Sequence, residues 1–575
     1  MAKKSRSNTP LWVYPERNPK VIQEVASELK VHPVIAEILL SRGFTNLEEI
    51  HDFLYAKLPN LHDPDLFPDM DQAVQRIFLA LEKKEPILIY GDTDVDGITG
   101  TSLLVEFLRS LQGEIYFFLP DRDPLRRNLI SDALPFLKEH SCRLLITVDC
   151  GISAIQGIRE VAAQGVDVIV TDHHEPTSKI PHCLATLNPK LINSPYPNRE
   201  LTGVGVAFKL VHALTNALAQ KENAPSIDLT SYLDLVALGT IADMGALHGE
   251  NRILVRYGLK QIRKSRRIGL AKLFQASDLL PQDASSSDIS SRIAPRLNSL
   301  GRIADPRQGV ELLLLRDPEV ATRLSQDLNA HNLERQKIER LAATDIEALL
   351  ASSPDLAEQK AILLASPDWH PGIIPILATR IAKSYNRPTL LLSIEKGVAK
   401  GSFRTIPEFP ILPFLRANSE LFINSGGHDF AAGLTMAEEH IPELRRRLLA
   451  AVHEQLHERD VLSKLYLDAP ISFRELTFDF MESLSLLEPF GHENPPPLLY
   501  TEAAQVWPPK LIGSDHLKLF LEQGDRMLEG IAFHMGSLKH SLSRKNLTLR
   551  IAFTPTINVF LNKASIQLQV KDIQF

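Results

Sequence analysis

The spacing of apolar positions divides the chain into stretches of different period. Residues near 20 to 82 carry helical periodicity in VIQEVASELK, HPVIAEILLSRGF and DMDQAVQRIFLALEKK, with a proline-rich link at LPNLHDPDLFP. Short apolar runs of strand length follow: PILIY, EIYFFLP, RLLITVD, DVIVTD and LATLNP. Several lead into amphipathic stretches such as SLLVEFLRSL and AIQGIREVAAQ. Alternating strand and helix predicts a mainly parallel sheet covered on both faces. From about 250 to 345 the pattern is helical and strongly charged, ending in DLNAHNLERQKIERLAATDIEALL, which reads as a solvated helix joining two bodies. A second α/β segment places strands in AILLASPD and PTLLLSI, with the helix IPILATRIAKSY between them. The final stretch alternates, as in HLKLFLEQGDRMLEGIAF, LTLRIAFTP and SIQLQVKDIQF, and predicts antiparallel strands in a small barrel or sandwich. The expected class is α/β with a C-terminal all-β module. Its segments are a helical one over 1–75, a parallel-sheet domain over 76–250, a helical connector over 251–345, a second α/β domain over 346–455 and the β module over 460–575.

Length and composition narrow the function classes. At 575 residues the chain exceeds one ordinary core, and roughly three or four domains are expected. Hydrophobic content of 44% with 23% charged residues is ordinary globular composition. No run of about 18 apolar residues offers a membrane span. The basic start MAKKSRSNTPLW leads into no apolar signal core, so a cytoplasmic protein is expected. Cys142, Cys150 and Cys183 are too few and too irregular for a disulfide framework or a four-cysteine zinc site, and are read as reduced thiols. A net charge of −7 gives no hint of nucleic-acid binding, although a local basic groove binds phosphate whatever the total.

The acidic residues fall at the strand ends. PILIY runs into GDTDVDG, RLLITV into Asp149, and DVIVT into Asp172, His173 and His174. In doubly wound sheets ligands bind beyond the carboxyl ends of strands, so three such ends converge on one crevice. Asp92, Asp94 and Asp96 alternate, and on an extended segment they would point one way, with Gly91 and Gly97 permitting the turns of a metal-binding loop. Carboxylates gathered so repel one another unless a cation compensates them. The simpler alternative is that single aspartates form turns or cap helices. Asp243, in the apolar stretch DLVALGTIADMGAL, is either an exposed helix end or a carboxylate with a metal partner. Carboxylates with imidazole and no thiolate suit Mn2+ or Mg2+ better than structural zinc. Two such ions about 3.5 to 4 Å apart would activate water against a phosphodiester.

In this order, GDTDVDG, TVDCG, TDHHEP and GTIADMGAL resemble the motifs of the DHH phosphoesterase superfamily. LTGVGVAFKL, GENRILVRYGL, RLNSLGRI, LNAHNLERQKIE, WHPGIIPILATRIA, KGSFR, SGGHDFAAG and EPFGHENPPP are similar to segments of its RecJ family, over nearly the whole chain. The resemblance implies a DHH domain, a DHHA1 domain lying across the cleft and a C-terminal OB-fold. It implies metal ligands at Asp92, Asp94, Asp149, His173 and Asp243, with Asp149 bridging two divalent cations. It also implies His174 facing the scissile phosphate, Asp96 as a supporting catalytic acid and Asp172 orienting a ligating histidine. Nucleic-acid contacts are implied at Arg122, Arg302, Ser402, Arg404, Gly426, Gly427 and His428. Its activity would be digestion of single-stranded DNA from the 5′ end to nucleoside 5′-monophosphates, in repair and recombination. The family's partners are a helicase and single-strand-binding protein, and a monomer is expected.

Two places depart from the family pattern. Arg126, Arg127 and Asn128 replace a Gly-Tyr-Gly turn, and Pro375 replaces a glycine at a helix start. Three further features have both a plain and a functional reading. The run IRKSRR is a solvated helical face or a phosphate contact. Phe520, Phe533 and Phe560 are barrel core or base-stacking platforms. The SGGH glycines form an ordinary turn or a phosphate cradle. Two rival functions share parts of this pattern. One is a DHH phosphodiesterase or nanoRNase acting on short oligonucleotides, against which the length argues. The other is a non-catalytic RecJ-like DNA-binding protein, which would lack metal ligands.

Overall fold

Five apolar runs become a parallel sheet in the order Ile115–Phe118, Ile87–Gly91, Leu144–Val148, Asp167–Thr171, Ala185–Leu187. Ile87–Gly91 and Leu144–Val148 are buried on both faces, which is why they read as continuous apolar runs instead of alternating. In chain order the sheet runs 2-1-3-4-5. Its topological switch therefore lies between Ile87–Gly91 and Leu144–Val148, where such sheets open a crevice at their carboxyl ends. The long helices Val95–Ser110, Gly203–Ala219 and Leu233–Ala242 pack together in one core with this sheet.

The computed structural model describes residues 10–120, 130–221, 226–353, 359–544, 547–561 and 563–575. Arg122 and the Arg126–Asn128 departure lie outside them. Contacts divide the chain into two units. One comprises Tyr14–Asn329 with Leu467–Phe575, the other Ala330–Tyr466 with the described residues before Tyr14. The 35-residue helix Pro318–Ser352 carries the chain from the first to the second. No helix among the described residues is long and apolar enough to cross a membrane.

The second unit holds a five-stranded mixed sheet in the order Asn424–His428, Ala431–Ala437, Val398–Arg404, Thr389–Glu395, Ile362–Ser366; only the last pair is parallel. Pro375 sits in the first turn of the helix Ile374–Tyr385, a position whose missing N–H costs nothing, so the departure from glycine is accommodated.

The C-terminal strands Leu499–Gln505, His516–Gln523, Arg526–Ala532, Leu547–Phe560 and Lys563–Gln574 close on themselves, because Ala504 and Gln505 pair with Glu522 and Leu521. The module also carries the helix Phe478–Ser485. Its core is shared with the N-terminal helices Pro19–Leu29, Pro33–Ser41 and Leu47–Tyr55, whose Ile35, Ile38 and Phe53 join Phe473, Phe480 and Phe553. Arg42 seals this contact through both oxygens of Asp468, at 2.9 and 3.1 Å. The helical segment is thus part of the barrel's core as well as the start of the chain.

Arg252 ties three sequence regions together. It is 2% exposed and has no carboxylate partner among the described residues. Its guanidinium donates to Phe53 O at 2.7 Å, Leu487 O at 3.1 Å, and Leu486 O and Glu488 O at 2.9 Å. It also lies over the Phe53 ring at 3.7 Å. Removing it strands several buried carbonyls, so Arg252→Ala should destabilise this unit by at least about 3 kcal/mol. Calorimetric unfolding checks this as a fall of several degrees in Tm. Arg474→Ala, which breaks an exposed pair with Asp525, should leave Tm unchanged.

Candidate functional site

Asp92 follows the first sheet strand directly, and its N–H still donates to Val148 O at 3.1 Å. The strand ends at Gly91 and a helix begins at Val95, so the three aspartates do not share an extended segment as their alternation predicts. Asp94 is the helix N-cap and accepts from Asp96 N at 3.0 Å and Gly97 N at 3.1 Å. Asp96 lies inside the first turn, at the back of the cluster. Its carboxylate accepts from Gly203 N at 2.6 Å and Val204 N at 2.9 Å, the buried first two amides of another helix. Gly91 and Gly97 flank the loop without adopting left-handed backbone. That conformation falls instead on Asp149, with φ of 60°, and on Gly151, with φ of 118°. A non-glycine residue there carries backbone strain of the kind that clusters at functional sites, and aspartate is among those that tolerate it.

Asp149 is 2% exposed and stands where the groups converge. One of its oxygens lies 3.1 Å from His173 Nε2, and His173 Nε2 lies 3.7 Å from Asp243 and 3.9 Å from Asp96. Three sets of donor atoms each fall within 4.8 Å of one another: Asp92, Asp94 and Asp149; Asp149, His173 and His174; Asp96, His173 and Asp243. Asp149 belongs to two of them. Asp149 Oδ1 and His173 Nε2 are buried and have no hydrogen-bond partner, an expensive arrangement unless a cation stands between them. Asp243 follows the last residue of the helix Leu233–Ala242. A carboxylate at that negative end is electrostatically misplaced unless a positive charge compensates it.

The electrostatics follow from this crowding. Burial pushes Asp149 well above the usual carboxylate range, and the charges of Asp96, Asp94, Asp243 and Asp92 push the same way. Asp96 is raised by burial and by Asp243 and Asp94, against the two amides that favour its ionised form. Asp243 is raised to about 7 by burial and then by Asp94. Burial, with His174 beside it, lowers His173 to about 4, leaving a neutral imidazole able to ligate. His174 differs. Burial opposes its charge, yet the hydrogen bond and charge of Asp172 outweigh it and raise His174 to about 9.

Asp172 accepts from Ile152 N at 2.8 Å, His173 N at 2.7 Å and His174 N at 3.1 Å, and holds His174 Nδ1 at 2.8 Å. It orients the ring of His174, not that of His173, so the second histidine is the one this carboxylate fixes. With Nδ1 engaged, Nε2 of the half-exposed His174 is its free donor edge.

Several contributors escape reading by type. Asn188, fully buried at the end of the last sheet strand, donates to His174 O at 3.0 Å and accepts from Lys190 N at 2.7 Å. At Gly203 a Cβ would meet the Asp149 carboxylate at 2.6 Å, so only glycine lets that helix approach. The glycine in LTGVG and the NP after LATL were the available signals.

The nucleic-acid candidates of the second unit form a separate group. Ser402, Arg404, Gly426 and His428 share one sheet face, with Gly433 and Ala431 between the two strands. Those small residues leave an open shelf, and a Cβ at Gly426 would meet nothing within 4 Å. Gly426, Gly427 and His428 lie on the edge strand Asn424–His428, not in a turn. Arg404 donates to Ser402 Oγ and Phe403 O at 2.9 Å and to Thr379 Oγ1 at 3.1 Å. Ser402 itself is 4% exposed beneath it. Arg302 lies on the helix Ala294–Ile303 of the first unit. Arg267, the end of IRKSRR, is buried in ion pairs with Asp234 and Glu106, a structural use. Of the barrel aromatics, Phe520 is buried, whereas Phe533 and Phe560 are exposed.

The model of the DHH family N-terminal domain matches residues 86–240, that of the DHHA1 domain 358–457 and that of the RecJ OB domain 467–572. The single-stranded-DNA-specific exonuclease RecJ of Bacillus subtilis is 34% identical over 565 residues, which is 98% of this chain and 70% of that protein. The crystal structure of RecJ from Thermus thermophilus in complex with Mn2+ is similar at a TM-score of 0.83 and 30% identity, covering 98% of this chain and 79% of the other. The Mg2+ complex gives 0.74 at 29% identity, with 98% and 78% covered. Likeness of this extent, on a sheet whose switch point gathers the acids and histidines of the DHH motifs, means that the chain belongs to the RecJ family.

Proposed function

We propose that the chain is a divalent-metal-dependent exonuclease that digests single-stranded DNA from its 5′ end and releases nucleoside 5′-monophosphates. The observation that carries this is Asp149: buried, shared by two donor groups, with an oxygen facing the unpartnered His173 nitrogen. The donor set fits Mn2+ or Mg2+, being carboxylate and imidazole without thiolate. Asp92, Asp94 and Asp149 would hold one ion, and Asp149, His173 and Asp243 the other. When bound, such ions supply Lewis acidity to a phosphodiester and make water more acidic.

The chain's own groups do the rest. Asp172 fixes the tautomer and angle of His174, whose Nε2 then presents a proton to an anionic phosphate oxygen. Asp96 uses two helix amides to anchor the loop behind the ligands. On the second unit, Arg404 has no carboxylate within ion-pair distance among the described residues and is half-buried, a state that favours an incoming 5′ phosphate. The exposed Phe533 and Phe560 are suited to base stacking on the barrel. The full set of acidic and imidazole donors is what a non-catalytic relative would be expected to lack. Cytoplasmic location, a monomeric state, and a helicase and single-strand-binding protein as partners rest on the family resemblance.

Two outcomes follow. Asp149→Asn removes one buried like charge while keeping a residue that tolerates left-handed backbone. Its metal-free Tm should match or exceed wild type, its Tm rise with Mn2+ should vanish, and mononucleotide release from end-labelled single-stranded DNA should cease. In wild type, saturation at about a hundred times Kd corresponds to roughly 2.7 kcal/mol, a rise readily seen by thermal shift. Arg404→Ala should raise KM for 5′-phosphorylated DNA about tenfold, in the range of one charge-assisted contact. It should do so much less for 5′-hydroxyl DNA, with the Mn2+ response intact. Equal KM values for the two ends in wild type would remove the end-binding role.

A further inference from the structure

The loop Asp92–Asp94 bears two of the proposed ligands, and its backbone is held at both ends. At its entry, Asp92 N donates to Val148 O in the sheet at 3.1 Å. At its exit, Val95 N donates to the side-chain Oδ1 of Asn298 at 3.2 Å. Val95 opens the helix that Asp94 caps, and Asp94's own carboxylate takes the next two amides, so Asn298 accepts the one early N–H that the cap leaves over. Asn298 lies on the helix Ala294–Ile303, some two hundred residues further along the chain.

A second contact comes from the same helix. Gly301, one turn beyond Asn298, packs so closely that a Cβ there would meet Thr93 O at 2.7 Å. Thr93 stands between the two candidate ligands and is fully buried. Asn298 and Gly301 are three residues apart and so fall on one side of the helix, against the loop. The helix holds the loop by a hydrogen bond at Val95 and by backbone contact at Thr93.

Resting on the proposed metal site, we infer that Asn298 is a positioning residue: through Val95 it fixes the backbone from which Asp92 and Asp94 present their carboxylates to a divalent cation. Its side-chain oxygen meets the backbone at Val95, not a ligand carboxylate. Groups that orient ligands from behind typically alter metal affinity by tenfold or more when removed. A capping role alone would alter stability and leave affinity untouched.

The test is a Mn2+ titration of the full chain read by thermal shift, alongside nuclease assays. Asn298→Ala should raise the Mn2+ concentration at half-maximal shift by roughly tenfold, with kcat at saturating Mn2+ within a few-fold of wild type. Asn298→Asp, which retains an acceptor for Val95 N–H, should bring the midpoint back to within about threefold. Gly301→Ala, with Asn298 intact, should weaken Mn2+ in the same direction by displacing Thr93, and keeps the question answerable if Asn298→Ala fails to fold. The inference is overturned if Asn298→Ala or Gly301→Ala titrates with the wild-type midpoint. It is also overturned if Asn298→Asp is as impaired as Asn298→Ala. Absence of any Mn2+ shift in wild type would instead overturn the metal site on which it rests.

Discussion

Negative charge withdrawn from water is the constraint around which this fold is organised. Asp149, Asp96 and Asp243 are each pushed above the ordinary carboxylate range by burial and then by neighbouring carboxylates, Asp94 among them in every case. Left alone, such a group favours protonation or separation. The chain prevents the separation. It holds the acids together with helix amides on Asp96, a glycine helix start under Asp149, and a neutral His173 against the same oxygen. Crowding raises the cost of the cation-free state, the amides on Asp96 offset part of it, and a divalent ion recovers the rest on binding. Stability surrendered at the site thus becomes affinity for the ion.

The two histidines show how neighbours divide one residue type into two roles. They are adjacent in sequence, yet His173 is driven toward the neutral form and His174 toward the charged one. What separates them is Asp172, fully committed to three backbone amides and one ring nitrogen. Its bond to the ring of His174 outweighs burial, while at His173 burial and the neighbouring His174 outweigh the pull of Asp172 and Asp94. That division is what the proposed roles of ligand for His173 and proton donor for His174 require at one pH.

Much of this was legible in the chain because strands buried on both faces announce themselves as apolar runs, and acids at their ends mark the crevice. A parallel sheet, the ligand candidates at its strand ends and a C-terminal run of antiparallel strands follow from such local signals, whereas the strand order and the closure of the barrel do not. What local signals misjudge is the backbone between them. Asp92, Asp94 and Asp96 alternate like strand residues, but a helix cap intervenes, and left-handed backbone falls on Asp149 and Gly151. Long-range partners were equally invisible. Nothing in the helices Pro19–Leu29, Pro33–Ser41 and Leu47–Tyr55 states that they complete a barrel beginning more than four hundred residues later, nor does IRKSRR reveal that Arg267 is engaged by buried acids.

The same non-locality explains why the site can be rigid without being locally stable. The Asp92–Asp94 loop has few bonds of its own. Its shape is set by a sheet strand on one side and by a helix from a distant stretch on the other. His174 likewise takes its geometry from Asp172 and from Asn188, which lies beyond the next strand. Ligands placed by separate elements cannot relax singly, because moving one means repacking a helix or a strand in a close-packed core. Preorganisation is therefore a property of the whole unit, and a substitution that loosens any of these elements should register at the donors before it registers in the fold.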